Sequence, residues 1–331
     1  MKDKTILITG ATGLIGSYIV EKLVKDNDVR CLVIKNSDVS FLENVGAKVV
    51  YGDITDKSTL GPALKDVDIV FHLAAAFKKD LPEKHTEAVY FKINVDGTRN
   101  MLEAAKENHV KRFVHFGAGG VYGFTASEPS NENSPYNPSN AYERSKCEGE
   151  KLALEFNQAG LPVTIIQPAV VYGPREKASI LKFFKAVKMG IFPIIGNGKN
   201  KMDFVFVEDI ADGAILAAEK ENAVGQKYII GGDRAYTFLE ILQVIADTLK
   251  VPVPKIKVPY FLAKIGAGLL EIGCSLIGMN PPVKVATMDF LSKNKFYDTS
   301  KARKELGYEP KVDLKKGMEI TMKWYKDNGL L

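Results

Sequence analysis

As far as Gln167, apolar residues follow two alternating rhythms: short β-branched runs, and longer stretches with the three-to-four-residue spacing of a helix face. Thr5–Thr9, Val29–Ile34, Lys48–Tyr51, Ile69–Leu73, Arg112–Phe116 and Val163–Gln167 predict strands. Leu14–Lys25, Ser40–Asn44, Ser58–Leu64, a long segment ending near Asn108 and one starting about Asn140 predict helices. Strands separated by helices join by right-handed crossovers into a parallel sheet covered on both faces, so the pattern predicts a doubly wound α/β body. The segment Val121–Ser139, rich in Ser, Pro and Asn, predicts a surface loop of the kind that often borders a site. Beyond about residue 175 the alternation breaks into helices and isolated strands. The expected division is therefore a body over 1–174 and, over 175–331, mainly a smaller substrate lobe with some segments returning to the body.

Composition narrows the class of protein. With 46% hydrophobic and 26% charged residues the chain is neither disordered nor fibrous. Its 45 basic against 40 acidic residues disfavour a nucleic-acid partner. The excess is local: residues 251–331 hold 14 Lys and Arg against 8 Asp and Glu, leaving the rest near neutral. Cys31, Cys147 and Cys274 are widely spaced and odd in number, which predicts free thiols in a reducing compartment and no metal site. Met1-Lys2-Asp3-Lys4 runs straight into a strand pattern without a signal-peptide core, so a cytoplasmic location is expected. The most apolar stretch, Tyr260–Met279, is interrupted by Lys264 and Glu271 and is not expected to cross a bilayer.

Two motifs carry chemistry. Thr9-Gly10-Ala11-Thr12-Gly13-Leu14-Ile15-Gly16 links the first strand to the first helix. Gly10 permits the tight turn, Gly13 lets main chain approach a pyrophosphate, Gly16 allows close helix–strand packing, and the helix N-terminus offers N–H groups to the anion. Tyr142 and Lys146, four apart, share one helix face, where an ammonium could lower the phenol's pKa and make it a general acid/base. The spacing also occurs at Tyr18–Lys22, Tyr260–Lys264 and Tyr297–Lys301; the position after the fifth strand and its loop singles out Tyr142.

In order, Gly10, Gly13 and Gly16, Gly52-Asp53-Ile54-Thr55-Asp56, Phe71-His72-Leu73-Ala74-Ala75, Asn94-Val95-Asp96-Gly97-Thr98, Val121-Tyr122-Gly123, Tyr142 to Lys146, and Pro168 to Pro174 match a known pattern. Through them the chain resembles the extended short-chain dehydrogenase/reductases, the NAD-dependent epimerase/dehydratase type, over nearly its whole length. The resemblance implies a Rossmann-type body and a bound NADP or NAD, held by the glycine loop with Thr12, Leu14 and Ile15. It further implies that Asp53 and Ile54 hold the adenine, Leu73, Ala74 and Ala75 line the pyrophosphate and ribose, Asn94 supports the active site, Lys146 holds the nicotinamide ribose beside Tyr142, and residues from Pro168, including Val171, face the nicotinamide. In relatives, helices corresponding to Glu83–Asn108 and Asn140–Gln158 pair into a four-helix bundle, so a homodimer is expected.

Several positions depart from that pattern. The second strand ends Val33-Ile34-Lys35-Asn36-Ser37, with no carboxylate for a ribose 2′-hydroxyl and with Lys35 able to meet a 2′-phosphate. NADP is accordingly favoured over NAD, although Asp38 lies close. The catalytic Ser or Thr position is Ala118, and loss of an oxyanion donor can cost on the order of 2–4 kcal/mol. Three readings are open: Thr125 or a loop serine substitutes, Tyr142 suffices with help from main-chain amides of the glycine-rich turn, or the chain binds dinucleotide with weakened catalysis. His115 reads as a satisfied structural residue on the fifth strand. Met202 stands where nucleotide-sugar enzymes carry a diphosphate-clasping arginine. With the apolar Val258–Met279 stretch, this looks more like the 3β-hydroxysteroid dehydrogenase and dihydroflavonol reductase branch, which implies a small hydrophobic secondary alcohol or ketone as substrate. A nucleotide-sugar epimerase or dehydratase is the alternative. The apolar stretch is expected first as core, and second as a substrate entrance touching an anionic membrane surface.

Overall fold

The computed structural model describes residues 1–77, 86–276, 279, 281 and 283–331. The body runs β1 (Thr5–Thr9), α1 (Leu14–Leu23), β2 (Asp28–Val33), α2 (Ser40–Asn44), β3 (Lys48–Tyr51), α3 (Gly61–Leu64), β4 (Ile69–His72), α4 (Thr86–Phe91), α5 (Gly97–Glu107), β5 (Arg112–Phe116), α6 (Ala141–Gln158) and β6 (Val163–Pro168). The lobe follows with β7 (Val170–Tyr172), α7 (Ser179–Lys188), β8 (Ile194–Ile195), β9 (Lys201–Phe206), α8 (Val207–Glu219), β10 (Lys227–Ile230), β11 (Ala235–Thr237), α9 (Phe238–Leu249), β12 (Lys257–Val258), α10 (Tyr260–Leu276), α11 (Val285–Ser292), α12 (Ser300–Leu306) and α13 (Leu314–Asp327).

Among the described residues the main sheet has seven parallel strands in the order β10-β6-β5-β4-β1-β2-β3. Strand residues alternate between two cores. Ile6, Ile8, Val114 and Phe116 pack under α1, α8 and α12, whereas Leu7, Val70 and Phe113 pack under α3, α5 and α6. The switch between β1 and β4 leaves a crevice at the carboxyl ends of the strands, the usual ligand position in such sheets. Three later segments, α8, β10 and α12, complete the body's sheet and one of its cores. The lobe has its own core around α7, α9, α13 and β9, and a small sheet of order β11-β9-β7.

Local differences from expectation have local causes. The Ser58–Leu64 helix is instead a 3₁₀ turn at Lys57–Thr59 followed by α3, because Gly61 and Pro62 restart the chain. The long helix ending near Asn108 is broken by a π-helical turn at Lys92–Asp96, and its expected start, 83–85, lies outside the described residues. So do 277–278 of the apolar stretch, whose described part forms α10. The three cysteines are free.

Candidate active site

Gly10 has φ +70°, and a Cβ there would stand 2.8 Å from the Ala74 nitrogen. A Cβ on Gly16 would overlap the Gly10 carbonyl, so the loop passes too close to α1 for any side chain. Gly13 begins α1 without a side-chain cap or an acidic residue in the first turn, leaving its leading amides to an anion. Thr12 and Gly13 are exposed at this mouth, and Leu14 and Ile15 half-buried. This cradle fits a dinucleotide pyrophosphate. Lys35 is exposed just past β2, and the Asp38 carboxylate accepts from the Ser40 amide at 3.1 Å and from its hydroxyl at 2.6 Å. Asp53 is exposed, with its carboxylate on Thr55; Ile54 is buried, and Asn100 donates to its carbonyl at 2.9 Å.

A directional network ties this cradle to the next element. The Ala74 amide donates to Thr9 Oγ1 at 3.1 Å, and Thr98 Oγ1 donates to the Asn94 carbonyl at 2.7 Å. His72 lies between, with Nδ1 2.8 Å from Thr9 Oγ1 and Nε2 3.1 Å from Thr98 Oγ1. Since Thr98 spends its proton on the carbonyl, Nε2 carries the imidazole hydrogen and Nδ1 accepts. Burial holds His72 at about 3, hence neutral. Asn94, on the π-helical turn, accepts from the Ala76 amide at 2.7 Å and donates to the Ala76 carbonyl at 3.2 Å and to Ser145 Oγ at 2.9 Å. The extra residue of a π turn rotates that one side chain out of the helical register and across to α6.

Helix α6 starts at the cap Asn140, whose Oδ1 accepts from the Glu143 amide at 2.9 Å. Tyr142 therefore sits in the first turn, with Phe77 and Tyr90 edge-on at 5.2 and 5.8 Å between ring centres. Lys146 is buried and donates to the Phe116 carbonyl at the end of β5. Burial lowers it to about 8, opposed by Glu150. The expected lowering of the phenol is reversed: burial first, then Glu143, Tyr90 and Glu150, push Tyr142 above the ordinary tyrosine range. The ammonium is directed to main chain, and the charges that set the phenol are acidic.

Ala118 borders the glycine-rich turn. Its amide donates to Glu150 Oε1 at 3.1 Å, while the other carboxylate oxygen takes Tyr136 and Gln167 at 2.7 Å each. Glu150 is fully buried, and a Cβ on Gly117 would overlap it. Thr125, one candidate substitute donor, has a buried hydroxyl with no partner among the described residues, and its amide binds the Asn294 carbonyl at 3.0 Å. Pro168 ends β6 with its carbonyl facing Gly119, and Val171 is half-buried on β7. His115 corrects an expectation: it is buried, yet neither ring nitrogen has a partner among the described residues, because β5 turns it toward Gly149 of α6, which offers no polar side chain. Met202 is buried in the lobe core.

Tyr142, Lys146, Asn94 and Ala118 thus meet on the elements that follow β4 and β5, whereas Lys35 and Asp53 stand apart at the ends of β2 and β3. Sequence reasoning missed Glu143, Glu150 and the His72 network. Their roles depend on distant partners.

The family model described as NAD dependent epimerase/dehydratase family matches residues 6–231. Sterol demethylase protein B of Methylococcus capsulatus is 29% identical over 99% of this chain and 100% of its own length. The human sterol-4-alpha-carboxylate 3-dehydrogenase, decarboxylating, is 28% identical over 98% of this chain and 88% of its own. Among solved structures, UDP-glucuronic acid 4-epimerase from Bacillus cereus in complex with NAD is similar at TM-score 0.77 and 25% identity, over 99% of each chain.

Proposed function

The chain belongs to the NAD-dependent epimerase/dehydratase family, and on that premise we propose that it is an oxidoreductase interconverting a hydrophobic secondary alcohol and its ketone. The observation that carries this reading is that Asn94 bonds Ala76, two residues past the Ala74 that lies against Gly10, and also Ser145, which sits between Tyr142 and Lys146 on α6. The α1 amides, with Leu73, Ala74 and Ala75, hold the pyrophosphate, Asp53 and Ile54 the adenine, and Pro168 and Val171 border the nicotinamide. When bound, the dinucleotide supplies or accepts the hydride. Tyr142 Oη takes the alcohol proton in oxidation and returns it in reduction. Lys146 holds the nicotinamide ribose, and Asn94 fixes the backbone of α6 through Ser145. Because the Ala118 amide is committed to Glu150, the Gly119 and Gly120 amides, which open a 3₁₀ turn, are the donors we assign to the substrate oxygen.

A lipophilic substrate is supported by Met202 in place of a diphosphate-clasping arginine, by the similarity to sterol enzymes, and by the surface of α10. Phe261, Leu262, Ile265, Leu269 and Ile272 are exposed on one side of that helix, whereas Ala263 and Ala267 face its neighbours. Exposed Lys264 is on the same helix, and exposed Lys255 and Lys257 precede it in the chain. An exposed apolar helix face in a basic part of the chain suits an anionic membrane, and we assign the face to peripheral contact through which substrate enters. No helix among the described residues is long and apolar enough to cross a membrane. The proposal extends to a homodimer through α4–α6, to preference for NADP through Lys35, and to a cytoplasmic setting, which the free thiols favour.

The test is nicotinamide absorbance with NADPH and NADH against steroid, aromatic and long-chain ketones. We expect net NADPH consumption with at least one steroid ketone, a lower KM for NADPH than NADH, and a loss of about 10²–10⁴-fold in kcat on Tyr142→Phe. Interconversion of UDP-sugars without net consumption would instead establish the epimerase reading that the Bacillus cereus likeness supports. Dinucleotide binding without either would identify a binding protein.

A further inference from the structure

The segment Asn294–Asp298, near the chain's end, is bonded on both sides by main chain. Thr125 and Ser130 donate to Asn294 and Phe296 at 3.0 and 3.1 Å, and Lys295 donates to the Lys201 carbonyl at 2.8 Å. These main-chain bonds, with the Asn294 side chain donating to the Ala126 carbonyl and accepting from the Lys201 amide at 2.8 Å, fix this strap between the Ser/Pro loop and β9 without the Lys295 side chain. Yet it also delivers Lys295, whose side chain is 9% exposed, to the 7% exposed carboxylate of Glu143, at 2.7 Å. The second carboxylate oxygen takes the Ser139 amide and hydroxyl, at 2.7 Å each. A Cβ on Gly120 would stand 2.8 Å from Glu143 Oε1, so the pair lies against the turn assigned to the substrate oxygen and one residue from Tyr142.

A buried ion pair adds little net stability, because desolvation offsets the attraction. At a joint already held by main chain, its effect falls on what the carboxylate faces. We propose that Lys295 is a positioning residue for Tyr142, holding Glu143 against the first turn of α6 and the Gly120 turn and balancing its charge beside the phenol. The proposal rests on Tyr142 being the acid/base of the reaction. The other groups acting on that phenol are Tyr90 from α4 and Glu150 on α6, with Lys146 one turn along. Lys295 itself faces Phe124, its ammonium 5.2 Å from the ring centre, and Glu143.

The test places a fluorotyrosine at position 142 of the full chain and follows its 19F shift against pH, a readout that needs no substrate. Lys295→Met should move the phenol midpoint upward by about one unit, since Glu143 then opposes phenolate formation unbalanced. Glu143→Gln should move it downward, and Glu143→Gln/Lys295→Met should return it near the original. Lys295→Arg should restore it. If Lys295→Met does not fold, Glu143→Gln and the double variant, which leave no unpaired carboxylate, carry the same comparison. A midpoint common to all variants, or a shift of the same sign in both single variants, overturns the proposal. Undiminished turnover in Tyr142→Phe would overturn the acid/base reading instead, and the two failures are distinguishable.

Discussion

Lys146 is a buried cation bonded to a carbonyl, and that combination sets two opposed expectations. Burial lowers its pKa from 10.5 to about 8, so the folded state releases this proton more readily than the unfolded chain. Stability from this group therefore rises with pH between about 8 and 10.5, and below that window the charge is a constant burden. At pH 7, Lys146→Met should raise Tm by roughly 2 °C, about 1 kcal/mol, while turnover falls at least about 10²-fold. The stabilisation should vanish above pH 10.5; calorimetry at the two pH values with a parallel assay checks it. Ala118→Ser tests the turn beside it. With Gly119 and Gly120 amides as donors, the new hydroxyl should change kcat by less than about tenfold; a gain of 10²-fold or more would mean that the amides do not serve. The glycine turn and the shared helix face of Tyr142 and Lys146 were legible in the sequence because each motif lies within eight residues, whereas the direction of the phenol's shift was not. The ion pair beside Tyr142 was not: Lys295 reaches it from 152 residues away.

Among the elements, α10 and the π-helical turn show what periodicity does and does not carry. The apolar stretch Val258–Met279 forms α10 over Tyr260–Leu276, but apolar content alone does not say which face is covered. The first expectation, core, holds only for the alanine side. Phe261 and Leu269, at 62% and 66% exposure, belong to the outer side. Phe261→Ser/Ile265→Ser/Leu269→Ser should abolish co-sedimentation with phosphatidylserine vesicles at low salt while leaving Tm within about 2 °C, as exposed substitutions do. Unchanged sedimentation would remove the membrane contact and leave the hydride chemistry untouched. The π turn was illegible because Lys92–Asp96 has ordinary helical composition; its geometry is imposed by Asn94 bridging Ala76 and Ser145, on two other elements. Strands β1 to β6 were readable within a residue or so, since each is a local run of β-branched and apolar residues, buried on both faces except in the edge strand β3.

At the scale of the molecule, we expect a particle of twice the chain mass in sedimentation equilibrium, lost when charged residues replace apolar ones on the outer faces of α5 and α6. The doubly wound body was legible from alternation, whereas the packing of the later part was not, because its core joins α7, α9, β9 and α13 across most of the second half of the chain. The same weave governs the order in which parts can exist during synthesis. The Gly10–Gly16 cradle and α6 precede Gln158, β10 closes the sheet's edge only at Ile230, and the strap carrying Lys295 comes later still. At about 5–20 residues per second, the interval from Gln158 to Lys295 is roughly 7–27 s. A nascent chain would thus hold its glycine cradle well before the environment of Tyr142 is complete. Binding of the nucleotide could then favour the folded body early, and hydride chemistry would begin only when nearly the whole chain has emerged.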